Sequence, residues 1–177
     1  MKHADLVGLL GDGVPSAGGR WADLGAGEGA FTLALADLVG PGAHITAVDR
    51  DGGALRQLES VMGRRFATTR LEVMVADFTR PMALSGLDGC VMANSLHFVR
   101  DKRPVLEAVR TMLRTGGILI LVEYDADRGN PWVPHPISYP RWEQLAAQSG
   151  FENTRKLHSI PSRFLGSIYS AVSTLPA

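Results

Sequence analysis

Disulfide chemistry is unavailable to this chain, which has a single cysteine, Cys90, set inside an apolar run. A disulfide framework is excluded, and a reducing, cytoplasmic setting is the expectation. Net charge is also missing. Lys and Arg number 18, as do Asp and Glu, for a formal charge of +0. No overall field therefore draws the chain toward nucleic acid or an anionic membrane. No apolar run reaches membrane-spanning length, and Met1-Lys2-His3-Ala4-Asp5 lacks a signal-peptide pattern. His3, His44, His97, His135 and His158 are scattered, with neither H-x-x-x-H spacing nor a cysteine cluster, so no metal site is expected. G-x-S-x-G, the nucleophile elbow, is absent too, as are internal repeats and low-complexity tracts.

What is present suits one domain with a real core: 177 residues, 45% of them hydrophobic. Its organising stretch is Trp21-Ala22-Asp23-Leu24-Gly25-Ala26-Gly27-Glu28-Gly29-Ala30-Phe31. This reads as a buried strand, a glycine turn and a helix start. Glycine permits positive φ and close approach of a ligand to the backbone. Such a turn also aims the first amides of a helix at whatever sits above it. A nucleotide-like ligand is the first expectation.

The remaining chain alternates strands and helices. Residues 1–19 hold a short apolar helix, either packed on the domain or lidding its site, and 20–177 form the main domain. Phe31, Leu35, Leu38 and Val39 share one helical face, stopped by Gly40-Pro41-Gly42. His44–Val48 is a strand ending at Asp49. A helix follows from Gly53 to Phe66, then a strand over Leu71–Ala76 ending at Asp77-Phe78. Gly89–Ala93 is a short buried strand. Val105, Ala108, Val109, Met112 and Leu113 mark a helix capped by Gly116-Gly117, and Ile118–Val122 is a strand buried on both faces. After a proline-rich loop come a helix over 142–149 and two strands near 154–160 and 167–173. The order predicts a parallel sheet with helices on both faces. The last two strands, with no long helix between them, form a hairpin that turns the final strand antiparallel.

Ligands of open α/β sheets bind beyond the carboxyl ends of the strands. Those ends carry Asp23 with the glycine turn, Asp49, Asp77-Phe78 and Asn94-Ser95. Gly25-x-Gly27-x-x-Ala30 fits the dinucleotide fingerprint, and Asp49 lies 20 residues past Gly29. A nicotinamide dinucleotide thus stays open on those residues alone. Against it, the Asp23 carboxylate would repel a pyrophosphate, and the chain has no room for a separate substrate domain. Asp77 offers an acceptor for an exocyclic amine and Phe78 a flat apolar face.

With these motifs in order, joined by Leu113-Arg114-Thr115-Gly116-Gly117, the chain from Arg20 onward resembles the class I S-adenosylmethionine-dependent methyltransferases. The resemblance implies a Rossmann-like, doubly wound seven-stranded α/β sheet of order 3-2-1-4-5-7-6 with strand 7 antiparallel. It further implies roles for individual residues. Asp23 would face the amino group of the cofactor's methionine part, and Gly25, Ala26 and Gly27 would admit the backbone. Asp49 would hold the ribose hydroxyls, Arg50 would border the adenine, and Asp77 and Phe78 would bind it. Asn94 and Ser95 would border the methionine moiety. S-adenosyl-L-homocysteine would be the product.

Methyl transfer from a sulfonium demands alignment and dryness, and a base only if the nucleophile begins protonated. His97 is the chosen base over Tyr124 and His135, with a structural helix-entry histidine as the bland alternative. Glu123, Tyr124 and Asp125 are either substrate contacts or turn acids. Trp132 is either an apolar wall for substrate or a surface staple. The expected acceptor is a small molecule. An RNA- or protein-directed enzyme, prompted by Arg64, Arg65 and Arg70, and a non-catalytic partner subunit are the alternatives. The Asn-Pro-Pro-Tyr-type motif of base amino methyltransferases is missing, since Ser95-Leu96-His97 follows Asn94. A single cysteine argues against arsenite methylation.

Overall fold

The computed structural model describes residues 1–176; Ala177, within the span expected for the main domain, lies outside them. Seven strands form one sheet: β1 (Arg20–Leu24), β2 (His44–Asp49), β3 (Arg70–Val75), β4 (Leu87–Ala93), β5 (Leu113–Tyr124), β6 (Glu152–Pro161) and β7 (Ser167–Thr174). Their order is β3-β2-β1-β4-β5-β7-β6. Strands β1 to β5 pair in parallel, while β7 runs antiparallel to both β5 and β6. The sheet order and the antiparallel seventh strand are as the sequence implied.

Alternation along the strands sorts the core into two layers. Trp21, Ile45, Val91 and Ile120 pack with helices α1 (His3–Gly11), α2 (Ala30–Val39) and α3 (Gly52–Arg65). Ala22, Cys90, Leu119 and Leu121 pack with α4 (Arg103–Met112) and α5 (Tyr139–Gln148). Leu6, Leu9 and Leu10 place α1 in the first layer. Beyond it, Arg155 Nη2 donates to Asp12 O at 2.8 Å, and His158 Nε2 lies 3.1 Å from Asp12 Oδ2. The N-terminal helix is packed against the domain.

Two boundaries differ from expectation. The fourth helix stops at Met112, and β5 begins at Leu113, well before the expected Ile118. Leu113 pairs with Leu87 of β4, with a register shift before Gly89 and Ile118 pair. Long-range pairing thus recruits residues whose local spacing continued a helix. The fifth helix starts at Tyr139, with Pro140 in its first turn, where the missing N–H costs nothing.

Candidate active site

The carboxyl ends of β1 to β4 surround a cleft of about 280 Å³. Gly25, Asp49, Arg50, Asp77, Phe78, Asn94 and Ser95 line it together with Thr79, Phe98 and Val99. The first seven were singled out from sequence. Thr79, Phe98 and Val99 were not, because each acquires its position only through the turn after a strand.

The glycine turn works differently from expectation. Gly25 and Ala26 N–H both donate to Val48 O, at 2.8 and 3.0 Å, and Gly27 N–H donates to Asp49 Oδ2 at 2.8 Å. These amides tie the turn to the end of β2 and are not offered to a ligand. Glycine is required here for conformation and space. Gly25 has φ of 83°, and a methyl group on it would come 2.5 Å from Ser95 Cβ. Gly27 has φ of 54°, and a methyl there would meet no atom within 4 Å. The open side of the turn is therefore at Gly27.

Asp23 does not line the cleft. It is 1% exposed, and its Oδ2 accepts from Thr32 Oγ1 of α2 at 2.6 Å. Burial pushes its pKa up to about 6, against the pull of the Thr32 hydroxyl and with a smaller push from Asp49. Asp49 is held by backbone: Oδ2 takes the Gly27 amide, and Oδ1 accepts from Asp51 N–H at 2.9 Å. Each oxygen keeps a further lone pair for a ligand. Asp77 Oδ1 accepts from Thr79 N–H and Oγ1 at 2.9 and 2.7 Å. These bonds hold the Asp77 carboxyl below its usual range, with burial opposing and Arg50 assisting weakly. Arg50 itself is exposed, its Nη1 lying 3.9 Å from Asp77 Oδ2.

Asn94 shows most clearly what the cleft is built to receive. It adopts φ of 52°, a left-handed conformation that Asn tolerates better than most residues. Its N–H donates to Val122 O at 2.9 Å, yet its Oδ1 is buried with no hydrogen-bond partner. Buried acceptors are nearly always satisfied. Asp49, Asp77 and this acceptor thus make an acidic, acceptor-rich cleft with one exposed arginine. It fits a ligand rich in N–H and O–H donors and carrying positive charge, such as S-adenosylmethionine; a pyrophosphate would be repelled.

Next to the cleft, Leu96–Phe98 form a single 3-10 turn that buries His97. Its Nδ1 lies 3.0 and 3.1 Å from the two carboxylate oxygens of Glu123. Glu123, fully buried at the end of β5, also accepts from His97 N–H at 2.9 Å and Tyr124 N–H at 3.1 Å. The pair assigns Nδ1 as the protonated nitrogen and leaves Nε2 as the basic one. Among the described residues Nε2 has no hydrogen-bond partner. Tyr124 meets the His97 ring edge-on at 5.5 Å. Burial, then the Glu123 charge, raises the Tyr124 pKa, so its phenol stays protonated and is the poorer base. From sequence Glu123 was either a substrate contact or a turn acid after the fifth strand. Its pairing with His97 joins positions 26 apart and leaves no local signal.

Lys102 braces this region. It is buried, and its Nζ donates to Val99 O and His135 O, both at 2.8 Å. Burial lowers its pKa, opposed by Glu123 and Asp101. His135 contributes through its backbone N–H, which donates to His97 O at 3.0 Å. The same loop carries Trp132, which is 69% exposed. Asn130 Oδ1 accepts from Trp132 N–H, and Asn130 Nδ2 donates to Phe164 O in the β6–β7 turn. Trp132 thus stands at the outer rim, away from the His97–Tyr124 contact. The basic trio sits at the other end of the sheet: Arg64 and Arg65 close α3, and Arg70 opens β3. Among the described residues no helix is long and apolar enough to cross a membrane.

Comparison with known proteins places this architecture. A family model described as "Methyltransferase domain" matches residues 15–158. A highly reducing polyketide synthase of Calcarisporium arbuscula is 26% identical over 189 residues, covering 92% of this chain and 7% of that protein. A carboxy-S-adenosyl-L-methionine synthase of Chromohalobacter salexigens is 29% identical over 125 residues, covering 67% of this chain and 44% of its own length. The chain thus spans under half the length of these curated relatives. Among solved structures, the 1,6-didemethyltoxoflavin-N1-methyltransferase of Burkholderia thailandensis, with bound 1,6-didemethyltoxoflavin and S-adenosylhomocysteine, superposes with a TM-score of 0.77. It is 14% identical, and the match covers 99% of this chain and 78% of that one. With a family match across most of its length, a seven-stranded sheet of the expected order and an acceptor-rich cleft at the strand ends, the chain belongs to the S-adenosylmethionine-dependent methyltransferases.

Proposed function

We propose that this chain methylates a small molecule whose nucleophile begins protonated, a hydroxyl or a C–H beside a carbonyl, with His97 as general base. The observation that carries this reading is the buried Glu123 carboxylate bridging His97 Nδ1 and the His97 and Tyr124 amides. A carboxylate so placed fixes the tautomer and stabilises the imidazolium that proton removal creates. It is an expensive group to bury for a merely structural histidine.

S-adenosylmethionine, when bound, supplies an activated methyl group on a sulfonium. The chain's residues do the rest. Asn94 Oδ1 would accept from the ammonium of the methionine part, and the buried Asp23, on the neighbouring strand β1, would add negative charge. Ser95, its hydroxyl donating to Leu24 O at 2.7 Å, keeps the wall by Gly25 in place. Asp49 accepts from the ribose hydroxyls, Asp77 accepts from the adenine amine, and Phe78 and Arg50 border that ring. Beside Ala26, the missing side chain of Gly27 would leave room for the cofactor against the turn. His97 Nε2 takes the acceptor's proton, and Tyr124 borders the acceptor. Trp132 would serve as an outer wall for larger acceptors. With the methyl group on the acceptor and the acceptor's proton on His97 Nε2, the co-product would be S-adenosyl-L-homocysteine. The position of Arg64, Arg65 and Arg70 at the far end of the strands speaks against an RNA-directed reaction.

Two measurements test this. Titration calorimetry should show S-adenosylhomocysteine binding in the wild type, in His97→Ala and in Glu123→Gln. Labelled S-adenosylmethionine, incubated with a metabolite extract, should mark a small product, and His97→Ala should slow its formation by ~10²–10⁴-fold. Glu123→Gln should slow product formation as well, with S-adenosylhomocysteine affinity unchanged. Equal rates in wild type and His97→Ala would remove the base assignment; absent cofactor binding would remove the whole reading.

A further inference from the structure

Beyond Val99 the cleft wall becomes the wall of a second cavity of about 440 Å³. Arg100, Arg103 and Arg141 surround it, all with exposed side chains, together with His135, Asp101 and Asp127. The acids offset these cations only in part, since Asp127 is ion-paired with Arg141 alone. Asp101 Oδ1 accepts from Arg103 N–H at 3.2 Å, a backbone contact beside the start of α4. Asp127 Oδ1 accepts from Ser138 Oγ at 2.7 Å and is 3.6 Å from Arg141 Nη1. Among the described residues, the Arg100 and Arg103 guanidinium groups have no carboxylate partner. The first turn of α4, a ten-residue helix, adds its positive dipole end to the same wall.

The cavity is coupled to the methyl-transfer region by covalent and hydrogen-bonded links. Val99 lines the cleft and the next residue, Arg100, lines the cavity. Lys102 clamps Val99 O to His135 O, and the His135 amide holds His97 O. Phe98, 61% exposed, gives the strip between the two an apolar surface. Guanidinium forks match phosphate oxygens bidentately, and several of them around one cavity repel one another without a counter-charge.

We infer that this second cavity seats a phosphate group carried by the methyl acceptor, with Arg100 and Arg103 as its principal ligands and Arg141 as the third cation. The acceptor then lies across Phe98, with its nucleophile toward His97 and its anionic end between α4 and α5. This assignment rests on the methyl-transfer reading of the neighbouring cleft, and its test does not use turnover.

With protein saturated by S-adenosylhomocysteine at low salt, titration with inorganic pyrophosphate should show saturable binding in the ~mM range or tighter, weakening steeply as salt rises. The paired variant Arg100→Gln/Arg103→Gln should bind pyrophosphate at least ~10-fold more weakly, with its melting temperature and S-adenosylhomocysteine affinity unchanged. Arg64→Gln/Arg65→Gln, altered at the far end of the sheet, should bind like the wild type. Methyl phosphate and dimethyl phosphate form the second arm: preference for the first names a terminal monoester, and preference for the second a phosphodiester arm. Equal pyrophosphate affinity in wild type and in Arg100→Gln/Arg103→Gln, or no saturable binding at all, would overturn the assignment. Loss of S-adenosylhomocysteine binding alone would instead strike the methyl-transfer reading.

Discussion

Asp23 is the residue whose titration the fold alters most legibly. Its ordinary value is 3.8, and burial raises it to about 6. Between those values the folded protein keeps a proton that the unfolded chain has released, so this group's contribution to stability falls as pH rises through that window. The full shift corresponds to at most roughly 3 kcal/mol. Asp23→Asn keeps an acceptor for Thr32 and removes the charge. It should therefore be more stable than wild type above the window, by about 1–3 kcal/mol, and should lose the stability slope within it, as read by urea unfolding across pH. Affinity for S-adenosylmethionine should fall in the same variant, as read by titration calorimetry, because the Asp23 charge is lost. Asp49 and Asp77 were legible in sequence because each ends an alternating strand. The link between His97 and Glu123 was not, because two strand ends must be neighbours before it exists.

At the level of elements, periodicity located every strand and every long helix, and misjudged ends where tertiary pairing competes with local pattern. Leu113 completes the apolar face of α4 in sequence, yet it is spent on the β4 ladder. The connection after β5 is the other case: Pro131, Pro134, Pro136 and Pro140 read as one loop, while Pro140 lies in the first turn of α5. Two substitutions probe element junctions. Asp51 Oδ1 caps α3 by accepting from Gly53 and Ala54 N–H at 2.7 and 3.1 Å. Asp51→Ala should cost ~1 kcal/mol in chemical denaturation and loosen the turn that holds Asp49. Lys102→Met would strand two carbonyls and cost about 1–3 kcal/mol. Hydrogen exchange should report it as faster exchange at the His135 amide, with α1 and α2 unaffected.

For the whole molecule, the two packed layers divide the labour. The layer containing α2 and α3 also takes in α1, with Leu10 fully buried. Leu10→Ala should destabilise the protein by about 2–5 kcal/mol, measured by urea unfolding, with S-adenosylhomocysteine affinity unchanged below the transition. The opposite layer carries the site's supports, since Glu123, Lys102 and the loop before α5 all converge on one edge. That edge is where the strands point their carboxyl ends, which is why the cofactor side was readable from motifs. The acceptor side proposed above draws on loops whose mutual positions no local pattern encodes.

Asn94 sets these demands against each other. An acceptor shut away without a donor, on a residue held at positive φ, makes the cofactor-free protein less stable than its fold allows. Natural variation at this position is therefore pulled in two directions. Asn94→Gly should raise the melting temperature of the cofactor-free protein and shrink the further rise produced by S-adenosylhomocysteine, so screening for thermal tolerance alone would select against the methyl donor.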